Sequence, residues 1–141
     1  MNTIDDIEAD FELLDDWEDR YRYLIELGRQ LPEMPEGSQN DQSKVPGCVS
    51  QVWLTSETEA GEPPRLTFQG ASDAHIVRGL VAITLALFSG RTAPDIIALD
   101  AEARFAKLGL QEHLTPQRSN GLRSMVGRIK EDARKAMAAA A

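Results

Sequence analysis

Residues 74–88, "AHIVRGLVAITLALF", constrain this chain more than any other stretch. Ile76, Leu80, Ile83 and Leu87 recur at helical spacing, and Val77, Val81, Thr84 and Phe88 lie beside them. A helix with so wide an apolar arc is buried on most of its circumference, so the rest of the chain must enclose it. The apolar run from Ile76 to Phe88 is broken by Arg78 and is too short to span a bilayer. Ser72 or Asp73 stands where an N-cap is needed, and Ser89-Gly90 stops the helix.

The flanking segments supply the enclosing layers. Asn2 or Thr3 caps a short helix with Ile4, Ile7, Phe11 and Leu14 on one face. Asp15-Asp16 restarts a helix, placing negative charge at its positive end. Its apolar stripe is Trp17, Tyr21, Leu24 and Ile25, and Gly28 or Leu31-Pro32 ends it. "PEMPEGSQNDQSK", residues 32–44, has turn residues and no apolar period, so it is predicted to be a loop. "VSQVWLT" and "RLTFQG" are β-type runs separated by the polar "SETEAGEPP", which predicts an antiparallel hairpin with Trp53 and Phe68 in the core.

Further on, Thr92 and Asp95 are spaced as a capping box around Pro94 for a helix through Leu99. Asp100 caps another ending at Gly109. Thr115-Pro116 opens a last helix carrying Leu122, Met125, Val126 and Ile129. The fold class is therefore α+β: a small antiparallel sheet, hairpin-based and of about three strands, packed against several helices. No repeat or composition break divides the 141 residues, so they are expected to form a single domain, 1–141, with a flexible tail from about residue 137.

Charge is unevenly spread. Up to Asp41 there are thirteen Asp and Glu against three Arg, a net of −10; from Ala101 onward four acids face eight bases, a net of +4. Two helix faces of opposite sign that meet in the fold would explain this, as would a charged docking surface for a protein. No basic patch with interleaved aromatics occurs, which argues against nucleic acid. The opening "MNTIDDIEADF" has neither a basic n-region nor an apolar h-region, so no secretory signal is predicted and a cytoplasmic, reducing location is expected.

Cys48 is the only cysteine. One thiol makes no internal disulfide and no cysteine-rich metal site, so no metal is expected. A free cysteine is by default a small buried hydrophobe. Here it follows the turn pair Pro46-Gly47 at a loop–strand junction, where functional residues concentrate, and Lys44 stands four residues before it. His75 and His113 show no triad spacing with it; each reads as a surface or cap residue. A thiol enzyme, such as a one-cysteine peroxidase or a hydrolase using Cys48, lacks the base and oxyanion motifs that it needs.

"VPGCVSQVWL", "SDAHIVRGLVAITLALFSG", "TAPDIIALD" and "LGLQEHLTPQRSNGLRSMV" follow one another in the order and spacing of the SufE-like sulfur acceptors. The resemblance runs from about Trp17 to Ile129 and is most specific in the GC-S-VW core and the HLTP-R-NGL segment. It implies a fold similar to the IscU-type scaffolds with the cysteine at a loop tip. It also implies that Cys48 accepts persulfide sulfur from a SufS-like cysteine desulfurase, stimulates that enzyme and delivers sulfur for iron–sulfur cluster assembly to a SufBCD-like scaffold complex.

The resemblance carries further expectations. The pyridoxal phosphate belongs to the desulfurase; this chain needs no cofactor, carries only a transient persulfide on Cys48 and has no independent turnover. An adaptor feeding a different sulfur acceptor would use the same thiol. With a single thiol the chain suits a carrier better than a scaffold, and a carrier benefits from an apolar pocket beneath the loop, with "PEGSQNDQSK" supplying the mobility to swing out. Gly47, Asp73 and Arg118 are the loop-support and partner-binding candidates. Asp73 could instead be a helix cap, and Arg118 could answer the acidic N-terminal helix. A monomer or weak dimer without a membrane or nucleic-acid partner is expected.

Overall fold

A computed structural model describes residues 3–47 and 50–140. Its elements are α1 (Ile4–Leu13), α2 (Trp17–Arg29), β1 (Val52–Glu59), β2 (Arg65–Ser72), α3 (His75–Phe88), α4 (Ala93–Ala98), α5 (Ala101–Lys107), α6 (Leu110–His113) and α7 (Pro116–Ala140). The α+β class expected from the sequence is the observed one.

α3 is the axle of the fold. Eleven of its fourteen residues are buried, so it is enclosed on nearly every side. Its one hydroxyl in the core, that of Thr84, is satisfied by donating to the Leu80 carbonyl at 2.8 Å. α2 crosses α3 at two glycines, where the backbones touch. A Cβ on Gly79 would stand 2.2 Å from the Leu24 carbonyl oxygen, and one on Gly28 would stand 2.7 Å from the Gly79 nitrogen. Gly28 therefore does not end α2, as its usual role would suggest; it lies within the helix because only a residue without a side chain permits this approach.

The sheet covers another side of α3. Antiparallel pairing sets Val52 opposite Ser72 and Leu54 opposite Gly70. Alternation along β1 and β2 turns Val52, Leu54, Leu66 and Phe68 to the core, where all are buried. Gly70 lets α3 lie close, since a Cβ there would be 2.6 Å from a Val81 methyl. The same alternation corrects one expectation. Trp53 sits between two inward residues, so it faces away from the core and is half-buried, whereas Phe68 is in the core as expected.

The sheet has two strands among the described residues, not about three. Isolated bridges extend it on both edges, Lys44 with Trp53 and Arg65 with Thr92, each too short to be a strand.

Local signals behave unevenly at the helix starts. Thr3 forms a full capping box with Asp6, Asp16 accepts from the Glu18 N–H, and Asp100 accepts from the Ala103 N–H. Asn2 lies outside the described residues. Thr92 precedes α4 but makes no side-chain cap bond, so the expected box with Asp95 does not form. α3 starts after Ala74 rather than Ser72 or Asp73: Ser72 accepts from the Ala74 N–H, and the Asp73 carboxylate turns elsewhere.

Among the described residues, the opposite charges of the two ends form ion pairs at one place. Arg104 of α5 reaches Glu8 of α1 at 2.9 Å and Asp5 at 3.9 Å. The other basic residues after Ala101 that form ion pairs stay within the C-terminal half, as in Arg123–Glu102 and Arg134–Glu131. Among the described residues no helix is long and apolar enough to cross a membrane.

Candidate functional site

The chain reaches Cys48 by running antiparallel to β1. The Leu54 N–H donates to the Ser43 carbonyl and the Val45 N–H to the Val52 carbonyl, both at 2.8 Å. Pro46 and Gly47 then leave this short ladder, and the chain returns to it at Val52. Cys48 itself lies outside the described residues, so the site is built from what flanks it.

The returning segment is packed closely at one end and hydrogen-bonded at the other. Gly47 has φ +87°, the left-handed region that glycine adopts without strain, and a Cβ there would approach the Ser124 hydroxyl of α7 to 2.8 Å. On the far side, Gln51 and Asp73 hold each other twice. The Gln51 N–H donates to Asp73 Oδ1 at 3.1 Å, and the Asp73 N–H donates to the Gln51 carbonyl at 3.3 Å. The carboxylate that could have capped α3 thus fastens the cysteine segment instead.

Arg128 of α7 fastens the approach as well. Its guanidinium donates to the Gln42 carbonyl at 2.8 Å and the Lys44 carbonyl at 3.5 Å, while Asp132 stands 3.5 Å away on the same helix. These bonds bear on the mobility expected of residues 35–44, which is corrected. Asn40 Oδ1 accepts from the Gln42 and Ser43 N–H groups, and Asn40 Nδ2 donates to the Gly37 carbonyl. The buried Ser43 hydroxyl donates to the Ser38 carbonyl at 2.6 Å. Side chains that hydrogen-bond their own turn make this polar segment a folded one.

A cavity of about 230 Å³ lies against the segment. Val52 of β1, Val77 and Leu80 of α3, and Leu122 and Met125 of α7 give it apolar walls, and Ser50 and Arg118 are polar parts of its lining. Arg118 is held by donating to the Tyr21 hydroxyl, with its guanidinium 5.8 Å from that ring's centre. Its own N–H is taken by Thr115, the cap of α7. Arg118 therefore answers α2 through a tyrosine, not through a carboxylate. A larger cavity, of about 350 Å³, lies between α5 and α7, and none of the described residues from 44 to 52 lines it.

The residues singled out from the sequence thus converge on one locus. Gly47 and Asp73 bound the segment that contains Cys48, and Arg118 lines the cavity that Ser50 shares. His75 is exposed at the start of α3, and His113 stacks on Trp17 with ring centres 4.2 Å apart. Ser124, Met125 and Arg128 were not assigned to the site from sequence. Their signal was the face of the last helix: from Arg118, the positions 121, 124, 125 and 128 lie along one side.

Residues 5–133 match the family described as "SufE: Fe-S metabolism associated domain". The chain belongs to the SufE family. A SufE-like protein of Rhizobium meliloti (strain 1021) is 61% identical over 134 residues, covering 94% of this chain and 96% of that one. Another, of Rhizobium etli, is 59% identical over 136 residues, covering 95% and 91%. Both carry the description "uncharacterized SufE-like protein". The solution structure of a hypothetical protein from Thermus thermophilus has the same fold, with a TM-score of 0.76 at 20% identity and 96% of each chain covered. Membership in SufE ties the chain to iron–sulfur metabolism and accords with the resemblance read from its motifs.

Proposed function

We propose that this SufE-family chain is a sulfur acceptor and carrier that takes persulfide sulfur on Cys48 from a pyridoxal-phosphate cysteine desulfurase. It stimulates that enzyme and delivers the sulfur to an iron–sulfur assembly scaffold in the cytoplasm. One observation carries the reading. The chain's single cysteine falls in a short segment of a SufE domain that runs from Gly47, packed close to Ser124, to Gln51, hydrogen-bonded to Asp73, beside an apolar-walled cavity.

The chemistry is thiol–disulfide exchange with a persulfide as electrophile. The Cys48 thiolate donates its electron pair to the terminal sulfur of the desulfurase persulfide. The bond between that sulfur and the enzyme's cysteine breaks, and the enzyme's thiolate leaves with the pair and is protonated. Cys48 now bears the persulfide, and no external oxidant or reductant is consumed. Delivery repeats the step with an acceptor thiolate attacking the terminal sulfur.

The absence of a second cysteine suits this role, because a neighbouring thiol would discharge the persulfide into an internal disulfide. The cavity suits it too, since apolar walls of Val52, Val77, Leu80 and Met125 offer a sulfur shelter from water between partners. The hydrogen bonds of Val45 and Gln51 fix where the segment leaves and rejoins the described chain, and transfer requires its thiol to meet a partner's active site.

Mass spectrometry after mixing with a persulfide-loaded desulfurase tests the proposal. The wild type should gain one sulfur, and Cys48→Ser should gain none, because a serine hydroxyl is hardly ionised at neutral pH. Sulfur still arriving on the serine variant would remove Cys48 from the mechanism.

A further inference from the structure

Arg78 is the one arginine among the described residues whose side chain has neither a hydrogen bond nor an ion pair. The others are each engaged: Arg20 with the Leu14 and Phe11 carbonyls, Arg65 with Gly90, Arg91 with Leu87, Arg118 with Tyr21, and the remainder with carboxylates. The Nε of Arg78 is buried and has no partner. In a chain with 23 acidic residues, a half-buried guanidinium left unpaired is a conspicuous exception. Burying a charged donor without an acceptor is unfavourable, and a partner that supplies the acceptor recovers that free energy on binding.

Arg78 lines a groove of about 510 Å³ between the 32–39 segment and the β2–α3 junction. Glu33 and Glu36 stand on its exposed rim, and neither is within ion-pair reach of the guanidinium. Ala71 and Ser72 form its other side. Ser72 pairs directly with Val52, whose side chain walls the cavity beside the cysteine segment. Val77, the residue before Arg78, walls that same cavity. The groove and the candidate sulfur site are thus the two flanks of one helix start.

We propose that this groove is a docking socket in which Arg78 receives an acidic side chain of the cysteine desulfurase, and the inference rests on the sulfur-acceptor reading above. Arginine's planar fork matches a carboxylate in a two-bond geometry, which gives the contact direction as well as attraction. A protein-borne carboxylate fits better than a free anion. With Glu33 and Glu36 on the rim and a net charge of −8, a diffusing anion is repelled, whereas a side chain on a docked surface is delivered by the rest of the interface. The socket would register the partner against the β2–α3 junction and so align it with the segment that holds Cys48.

The test uses the full chain, the same cell's cysteine desulfurase, and the variants Arg78→Leu and Arg78→Gln. Calorimetric affinity for the desulfurase should fall roughly tenfold or more in both, as truncating one side of a buried charge pair does. The melting temperature of the free protein should stay level or rise, because an unpaired charge has been removed. Sulfur uptake from a small persulfide donor should be unchanged in both variants.

Affinity within twofold of wild type would overturn the socket while leaving the sulfur-acceptor reading in place. A fall in melting temperature in both variants would show that Arg78 already pairs within the free protein and would overturn it too. Acetate that stabilises the wild type but not Arg78→Gln would assign the groove to free anions instead. A wild type that neither binds the desulfurase nor accepts its sulfur would fail the parent reading, and the socket with it.

Discussion

The α2–α3 crossing and the cysteine segment are held in opposite ways. At the crossing there are no side chains to give way: Gly28 and Gly79 bring two backbones into contact, and the surrounding residues are apolar. Around Cys48 the chain is held by a few polar contacts, each reaching in from a distant element: Arg128 from α7, with Ser124 of that helix close against Gly47, and Asp73 from the β2–α3 junction. Close packing resists any change of volume and gives one arrangement. A handful of exposed hydrogen bonds defines a position yet can be exchanged for a partner's. The proposed carrier role draws on both, a rigid frame and contacts that a partner can replace.

Gly79→Ala tests the rigid side and should have the largest effect on stability. The added methyl lands on a backbone oxygen, so helices must separate, and overpacking of this kind is worth about 3 kcal/mol. For a chain of this size that lowers the melting temperature by roughly 10 °C. Thermal unfolding followed by circular dichroism measures it. A change within about 2 °C, roughly what a surface substitution gives, would mean that the crossing can yield.

Gly47→Val tests the other side. A β-branched residue at φ +87° is strained, with about 1–2 kcal/mol lost to the left-handed conformation. Stability should drop by no more than that, while desulfurase stimulation at saturation falls and affinity is largely kept. Pairing Gly47→Ala with Ser124→Ala separates the two causes. Rescue by the serine change would assign the defect to contact, and lack of rescue would assign it to the backbone angle. Collapse of affinity with an unchanged saturating rate would show that the segment's freedom is irrelevant to transfer.

Asp73 distinguishes fastening from charge. Asp73→Arg loses the acceptor for the Gln51 N–H and reverses an exposed charge, so affinity for the desulfurase should change by about 1 kcal/mol and become more salt-dependent. Asp73→Asn keeps an oxygen for Gln51 and should retain most of the stimulation. Equal affinities for both variants and wild type at two salt concentrations would confine Asp73 to holding the loop.

Arg128→Ala should be the mildest. It frees the Gln42 and Lys44 carbonyls and leaves Asp132 without its neighbour, at about 1 kcal/mol of stability. Arg128→Lys should recover part of it, because one ammonium can still reach one carbonyl. If chemical denaturation shows no loss in either variant, the approach to the cysteine is held by Ser43 and Asn40 alone.

The same contrast governs what could be read before the structure. α3 was legible because its apolar residues repeat along the chain, and the helix starts at Thr3, Asp16 and Asp100 were legible because the signal and the helix are adjacent. Gly28 misled because a glycine near a helix end usually terminates it, and only the facing Gly79 reveals a crossing. Trp53 misled because a large aromatic suggests a core, although its neighbours Val52 and Leu54 already claimed the inward positions. At the site, the turn at Gly47 and the cysteine were visible in one short string. The grip of Arg128 on Gln42 was not, since 86 residues separate them and no periodicity connects them.

The reciprocal bonds between Gln51 and Asp73 have a kinetic meaning. Each residue is donor and acceptor to the other, so the peptide hydrogens of both are shielded by the same closed ring. Neither can be released to deuterated solvent without loosening the other, and the two amides should exchange in step. That pair makes a built-in clock: its common rate counts how often the Gln51–Asp73 ring opens in the resting protein.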